Sequence, residues 1–490
     1  MRDCNFRTTT TKKLLNVTEK TTRRAFLQRS AALVAGVNLA TGLSDVQAVH
    51  AVNGTAGVTK NLGRGHGKGL VVENVQRFSI QVPFREIVAR NMVRELPHWT
   101  VFEICKVRLS SGVVGIGETM TYYTWGRVSD AAVKRVLGRN ALEMIWDDSL
   151  GCGFQMALFD AVGKTLGVPV HALLGHKIRD RAFISWWDND LPPEDFASEC
   201  RTAFEAGYRD FKTKGRPWQD VYAQMDAATK VVPKGFKINL DFNRHLLDAE
   251  HAIPVINELE KYPSFVVCET PISQKDIENS KRIQAAVKVA IAHHYGEGQP
   301  VPVQLCENLC DVFVVGNGGA SAVMRAGVVC GAFNKPFWLQ QVGSGITAAF
   351  SRHFAAVLSH ATWPAVNCHQ LYENNLVATS IRVKNGTTPI LDTPGLGIEI
   401  DANALARFRL KKTYARRPNP RRLIEVSWPN GAKTYYSTGS QMMDDGRVGN
   451  LPVFIRGVNT RLVPDDGSDR WRELHEKALR APLRIGKAGE

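Results

Sequence analysis

The feature that most restricts the fold of this chain is a repeat of short apolar runs set apart by amphipathic segments. The runs are Ala182–Trp187, Asp210–Lys214, Lys237–Asp241, Phe265–Glu269, Val287–His293, Asp311–Val315, Pro336–Gln341 and Ala365–Cys368, one beginning every 22–30 residues. Runs this short suit buried strands, and most of the segments between them suit amphipathic helices. Eight strand-helix units in series predict an α/β chain closed into a (β/α)8 barrel of TIM type. In that architecture chemistry sits at the C-terminal ends of the strands. Polar residues fall at those ends here: Lys212 and Lys214, Asp241, Glu269, His293 and His294, Gln340 and Gln341.

Ahead of the repeat the pattern differs. From Gly69 to about Ser110 apolar residues alternate, as in Phe102-Glu103-Ile104-Cys105-Lys106-Val107-Arg108-Leu109, which is strand periodicity. A turn at Ser111-Gly112 leads into Val113–Ile116 and closes a hairpin. A helix is expected from about Phe154 to Leu166, ending at Gly167 before Pro169.

The first 51 residues read as an address. Thr22-Arg23-Arg24-Ala25-Phe26-Leu27 precedes a modestly apolar run, Ala31–Leu43, and small-residue cleavage patterns ending at Ala48 and Ala51. That order is the layout of a twin-arginine signal, so the export machinery of that pathway is an expected partner and a periplasmic or exported location follows. Residues 52–68 read as a linker rich in Gly, Asn and Thr. No run of about 18 or more apolar residues occurs, so no spanning helix is expected. The nine cysteines are odd in number and lack a framework spacing, which points to reduced, mostly buried thiols.

The formal charge of +15 does not point to nucleic acid. Residues 1–70 hold 11 Lys and Arg against 3 acidic residues, and residues 402–490 hold 18 against 9. The body between is close to neutral, unlike the basic groove that a nucleic-acid binder requires.

The chemistry-bearing constellation lies on consecutive strand ends. Lys212 and Lys214 are two apart, so both face the same way from one strand. Two ammonium groups held close together repel, which makes one of them a better base. Asp241 follows Lys214 by 27 residues and Glu269 follows Asp241 by 28, about one strand-helix unit each. Two carboxylates on adjacent strand tips begin a hard-cation site suited to Mg²⁺.

These residues, with three further stretches, resemble the mandelate racemase / muconate lactonizing enzyme family of the enolase superfamily. Gly112-Val113-Val114-Gly115-Ile116-Gly117-Glu118-Thr119 is similar to its capping-domain hairpin. Ala157–Lys164, continuing to Pro169 and Leu173-Leu174-Gly175, is similar to its domain-junction helix. Thr393–Asp401 is similar to its closing segment. The resemblance implies an α+β capping domain (69–180), a catalytic barrel (181–370) and a segment packing back on the cap (371–401), leaving a basic extension (402–490). It also implies a small carboxylate substrate between cap and barrel, a base that removes the proton α to that carboxylate, and Mg²⁺ facing the enediolate. Specificity is then set by capping-domain loops such as Phe84–Trp99, and a homo-oligomer is expected.

The sequence departs from the family at three strand tips. The fifth strand offers His293-His294 and no carboxylate at its tip, with Glu297 just beyond. A neutral imidazole can take the third ligand place, and His294, or His293 on an ungapped alignment, is the candidate. Such a site is softer and admits Mn²⁺ or another divalent ion. The sixth strand has Phe313, and the seventh has Gln340, where the family carries its opposite-face bases. One base therefore favours β-elimination, with Lys214 abstracting the proton and Lys212 supporting the developing charge. Asn243, Gln340, Gln341 and Trp186 are the supporting or substrate-contacting candidates. Dehydration of a hydroxycarboxylate or acid sugar is the leading expectation. Racemisation, epimerisation or cycloisomerisation is the second, and a carboxylate-binding protein without turnover the third.

Overall fold

In the computed structural model, residues 69–123, 126–316, 318–416 and 421–486 are described. The twin-arginine motif and the linker lie outside them. Three antiparallel strands come first: β1 (Val72–Gln81), β2 (Val101–Leu109) and β3 (Val114–Met120), in the order β1-β2-β3. The expected helix spans Cys152–Leu166 and ends at Gly167 in the left-handed conformation, φ 70°. It packs against β3 so closely that a Cβ at Gly115 would lie 2.1 Å from the Ala157 carbonyl oxygen. Gly115 and Gly117 of the hairpin motif are there for this approach.

Two buried carboxylates tie this layer to the rest of the chain. Asp160 accepts hydrogen bonds from the backbone N–H of Ile116 at 2.9 Å and of Leu396 at 2.8 Å. It thus joins hairpin, junction helix and closing segment at one point. Glu118 accepts from the N–H and hydroxyl groups of Ser344 and Thr347, at the start of the helix Gly345–Val357. Burial raises the Glu118 carboxyl above its ordinary value, against the pull of those donors.

The barrel follows. After β4 (Arg181–Phe183), seven parallel strands run in chain order: β5 (Trp186–Trp187), β6 (Asp210–Lys214), β7 (Lys237–Asp241), β8 (Phe265–Glu269), β9 (Ala290–His294), β10 (Val312–Val315) and β11 (Phe337–Leu339). The eighth apolar run closes the ring through a short contact instead of a full strand. Val366 N–H donates to Leu339 at 2.8 Å, Ala365 N–H donates to the Phe183 carbonyl at 3.0 Å, and Ser185 N–H donates to Ala365 at 2.9 Å. The first run is divided. Its beginning, β4, pairs antiparallel with β12 (Thr387–Pro389), because the closing segment returns under the barrel floor, and only Trp186–Trp187 joins β6. Asp220, Asp248 and Asp276 each cap the N-terminus of a successive barrel helix, accepting from the backbone N–H three residues on.

Residues 421–486 form more than a basic tail. β13 (Leu423–Ser427), β14 (Lys433–Tyr436), β15 (Asn459–Val463) and β16 (Leu483–Ile485) make an antiparallel sheet in the order β15-β13-β14-β16. Period-2 alternation separates two small cores. Ile424, Val426, Tyr436 and Met442 pack with Trp218 of the barrel on one face, and Leu423, Tyr435 and Trp471 pack on the other. The eight cysteines among the described residues are free, and six are buried. Among the described residues no helix is long and apolar enough to cross a membrane.

Candidate active site

Lys214, Asp241, Glu269 and His294 are the last residues of β6, β7, β8 and β9. The register pairs Lys214 with Asp241 and Asp241 with Glu269, so neighbouring tips are level. One ligand atom each from Asp241, Glu269 and His294 lie within 4.8 Å of one another. Both lysines enter the same cluster. Lys214 Nζ donates to Asp241 Oδ2, and Lys212 Nζ lies 2.6 Å from Glu269 Oε2 while donating to Gln340 Oε1 at 2.6 Å. Burial opposes ionisation of Asp241, but Lys214 and Lys212 outweigh it and hold the carboxyl well below the usual range.

The group fits a divalent cation. Glu269 is fully buried, and neither of its oxygens accepts a well-directed hydrogen bond, although Lys212 and His294 stand close. Buried carboxylate oxygens left open in this way suit a cation that takes oxygen ligands. Asp241 is oriented by Asn243, whose backbone N–H donates to Oδ1 at 2.9 Å and whose amide donates to Oδ2 at 3.2 Å. To do this Asn243 adopts φ 45°, and Thr270, directly after Glu269, adopts φ 44°. Left-handed non-glycine backbone follows both carboxylates closely, and such strain concentrates at functional sites.

The two histidines separate cleanly. His294 joins the carboxylates, 3.2 Å from Glu269. His293 points to the other face of β9, is 1% exposed and has an unpartnered Nδ1. Burial, with His294 beside it, pushes its pKa down to about 4. Gln340 reaches the site through Lys212. Gln341 does not: it lines a neighbouring cavity beside Glu118 and Thr347. Trp186 is a correction. Its indole N–H donates to Glu199 at 2.9 Å behind the sheet, and Trp187 lines the mouth instead. β5 is only two residues long, so strand alternation gives one inward tryptophan and the register falls on the second. Phe313 is fully buried and in register with His293, so its ring faces away from the site and Val314, in register with His294, faces it.

Sequence reasoning missed Arg216 and Glu95. Arg216 continues the two-residue step from Lys212 and Lys214, a signal that was present. It binds Glu95 through two hydrogen bonds of 2.8 Å and donates to Asn243 at 3.0 Å. Glu95 also accepts from Asn189 at 3.0 Å and comes from the Phe84–Trp99 loop.

A barrel with this cap and a carboxylate–histidine cluster facing two lysines defines a metal-dependent enzyme of the enolase type. The family "Enolase C-terminal domain-like" matches residues 195–404. Arabinonate dehydratase of Saccharolobus solfataricus is 24% identical over 342 residues, 62% of this chain and 90% of that protein. Muconate cycloisomerase 1 of Pseudomonas putida is 25% identical over 340 residues, 62% of this chain and 89% of that protein. The crystal structure of a mandelate racemase/muconate lactonizing family protein from Azoarcus sp. EbN1 covers 71% of this chain and 99% of its own, with TM-score 0.58 and 23% identity. Residues 195–404 thus carry an enolase C-terminal domain-like domain, and the fold is similar to that of the mandelate racemase/muconate lactonizing proteins.

Proposed function

We propose that this protein removes the proton α to the carboxylate of a small α,β-dihydroxycarboxylate and expels the β-hydroxyl as water. The observation that carries this reading is the convergence of Lys212 and Lys214 on Asp241, Glu269 and His294 at four successive strand tips. Asp241, Glu269 and His294 are the residues that would hold a divalent ion, Mg²⁺ or, given the imidazole, Mn²⁺. Bound there, the ion supplies positive charge against the carboxylate on which charge accumulates as the proton leaves.

Lys214 takes the α-proton, and the C–H electron pair moves into the substrate carboxylate. Lys212, anchored by Glu269 and Gln340, faces that charge. The C–O bond at the β-carbon then breaks, and the departing hydroxide takes the proton carried by Lys214. The enol left behind tautomerises to a 2-keto acid. Gln340 holds a neutral amide where a second base would be needed for racemisation. A second reading, cycloisomerisation, is supported by the muconate cycloisomerase relative and needs the same single base. Product analysis by NMR separates them: the first reading expects a 2-keto acid one water lighter than the substrate, and a ring-closed isomer would overturn it. The relatives make an acid sugar the nearest precedent for the substrate class. We also propose export through Arg23-Arg24 and a homo-oligomeric enzyme.

A further inference from the structure

The family match ends at residue 404, yet a residue from beyond it lines the site. The helix Gly439–Arg447 lies against the Phe84–Trp99 loop so closely that a Cβ at Gly439 would sit 2.1 Å from the Arg94 carbonyl oxygen. Its unit is fixed to the barrel beside Lys214. Trp218 is buried in the core of that unit, and Gly457 N–H donates to Asp220 at 2.6 Å. Met442 turns into that core, while Met443 lines a cavity of about 180 Å³ that also contains Lys214, Asn243 and Gln340.

The lining of this cavity is of two kinds. Arg216, Glu95, Asn189 and Asn243 hydrogen-bond to one another or to Asp241, and Gln340 to Lys212, which commits most of their polar atoms. The rest of the lining is mostly apolar: Leu96, Trp99, Trp187, Val342, Val366 and Met443, with Tyr123 and Cys368. Trp99 and Trp187 stack there, with centroids 5.4 Å apart and an interplanar angle of 20°. A polyhydroxy chain laid against these side chains would lose water at most of its hydroxyls and find few partners beyond Tyr123 and Asn189 Oδ1. An alkyl or aryl group would gain by burial.

We infer that the substrate is a hydroxycarboxylate with an apolar end, aryl or branched alkyl, and that Met443 of the C-terminal unit forms the wall that selects it. This rests on the reaction reading only for the placement of the carboxylate end at the lysines. The test titrates full-length, Mg²⁺-loaded protein with 3-phenyllactate and with gluconate by calorimetry, and follows α-proton exchange of each in D₂O. Phenyllactate is expected to bind at least about tenfold more tightly than gluconate. Met443→Glu, at a partly buried position, is expected to cut phenyllactate affinity at least about tenfold while leaving Mg²⁺ affinity and thermal unfolding unchanged. Equal or tighter binding of gluconate, binding of neither probe, or full phenyllactate affinity in Met443→Glu overturns the inference. Exchange with gluconate alone would overturn it and leave the reaction reading standing. Tight, Met443-dependent phenyllactate binding without exchange of either probe would uphold the inference and overturn the reaction reading.

Discussion

The Glu95–Arg216 pair should carry a large share of the coupling between the capping loop and the base-bearing strand. The two side chains are 4% and 2% exposed, and two 2.8 Å hydrogen bonds join them. Glu95→Gln removes the charge and sets an amide N–H against the guanidinium donors and Asn189. Removing one member of a buried pair costs about 3–5 kcal/mol, because the remaining charge is left uncompensated. Replacing both members with neutral groups costs much less, so Glu95→Gln/Arg216→Met should fall well below the sum of the single variants. The expected coupling is about 2 kcal/mol or more. Urea unfolding read by tryptophan fluorescence and near-UV circular dichroism measures this, provided the slope stays constant. The pH dependence has a definite sign. Burial pushes the Glu95 carboxyl up, but Arg216 outweighs it and the folded value lies below 4.5. Its stabilisation is therefore complete above pH 4.5 and is lost as pH falls through the lower folded value. Glu95→Gln should lack that acid-side loss. Additive single variants, or a Glu95→Gln cost below about 1 kcal/mol at neutral pH, would refute the reasoning.

Three further outcomes are expected. Asp160→Ala should cost about 2–5 kcal/mol, because it orphans the N–H groups of Ile116 and Leu396, and should speed hydrogen exchange in residues 393–400; unchanged protection there would contradict it. Asp241→Asn and Glu269→Gln should each abolish divalent-ion binding by calorimetry with the fold retained, and His294→Ala should weaken it more than His293→Ala; the reverse order of the histidines would move the site. Arg23→Lys/Arg24→Lys should leave folded protein in the cytoplasm, and unchanged export by cell fractionation would remove the signal assignment.

The barrel was legible because its strands are short, mostly apolar runs, four of them ending in Lys214, Asp241, Glu269 or His294, and three successive helix starts carry Asp caps. The tip residues Lys214, Asp241, Glu269 and His294 were legible because one strand-helix unit separates most neighbours along the chain. Legibility failed where a local pattern was too short or a contact too distant. β5 has two residues, too few for periodicity to choose between Trp186 and Trp187. The closing contact at Ala365–Val366 is set by its neighbours on both sides, and its own sequence does not mark its length. Glu95 and Met443 reach the site from elements far along the chain, and nothing at their own positions announces this. In the C-terminal unit the many arginines hid two small alternating cores, since strands of four or five residues leave little pattern between charged ones.

The central claim is that Lys214 removes a proton α to a carboxylate, and the most direct measurement is α-proton exchange into D₂O followed by NMR in wild type and Lys214→Ala. With an accepted hydroxycarboxylate and bound divalent ion, wild type should exchange. Lys214→Ala should lose at least about 10²–10⁴-fold of that rate while keeping metal affinity. Exchange at the wild-type rate in Lys214→Ala would contradict the account and place the base elsewhere.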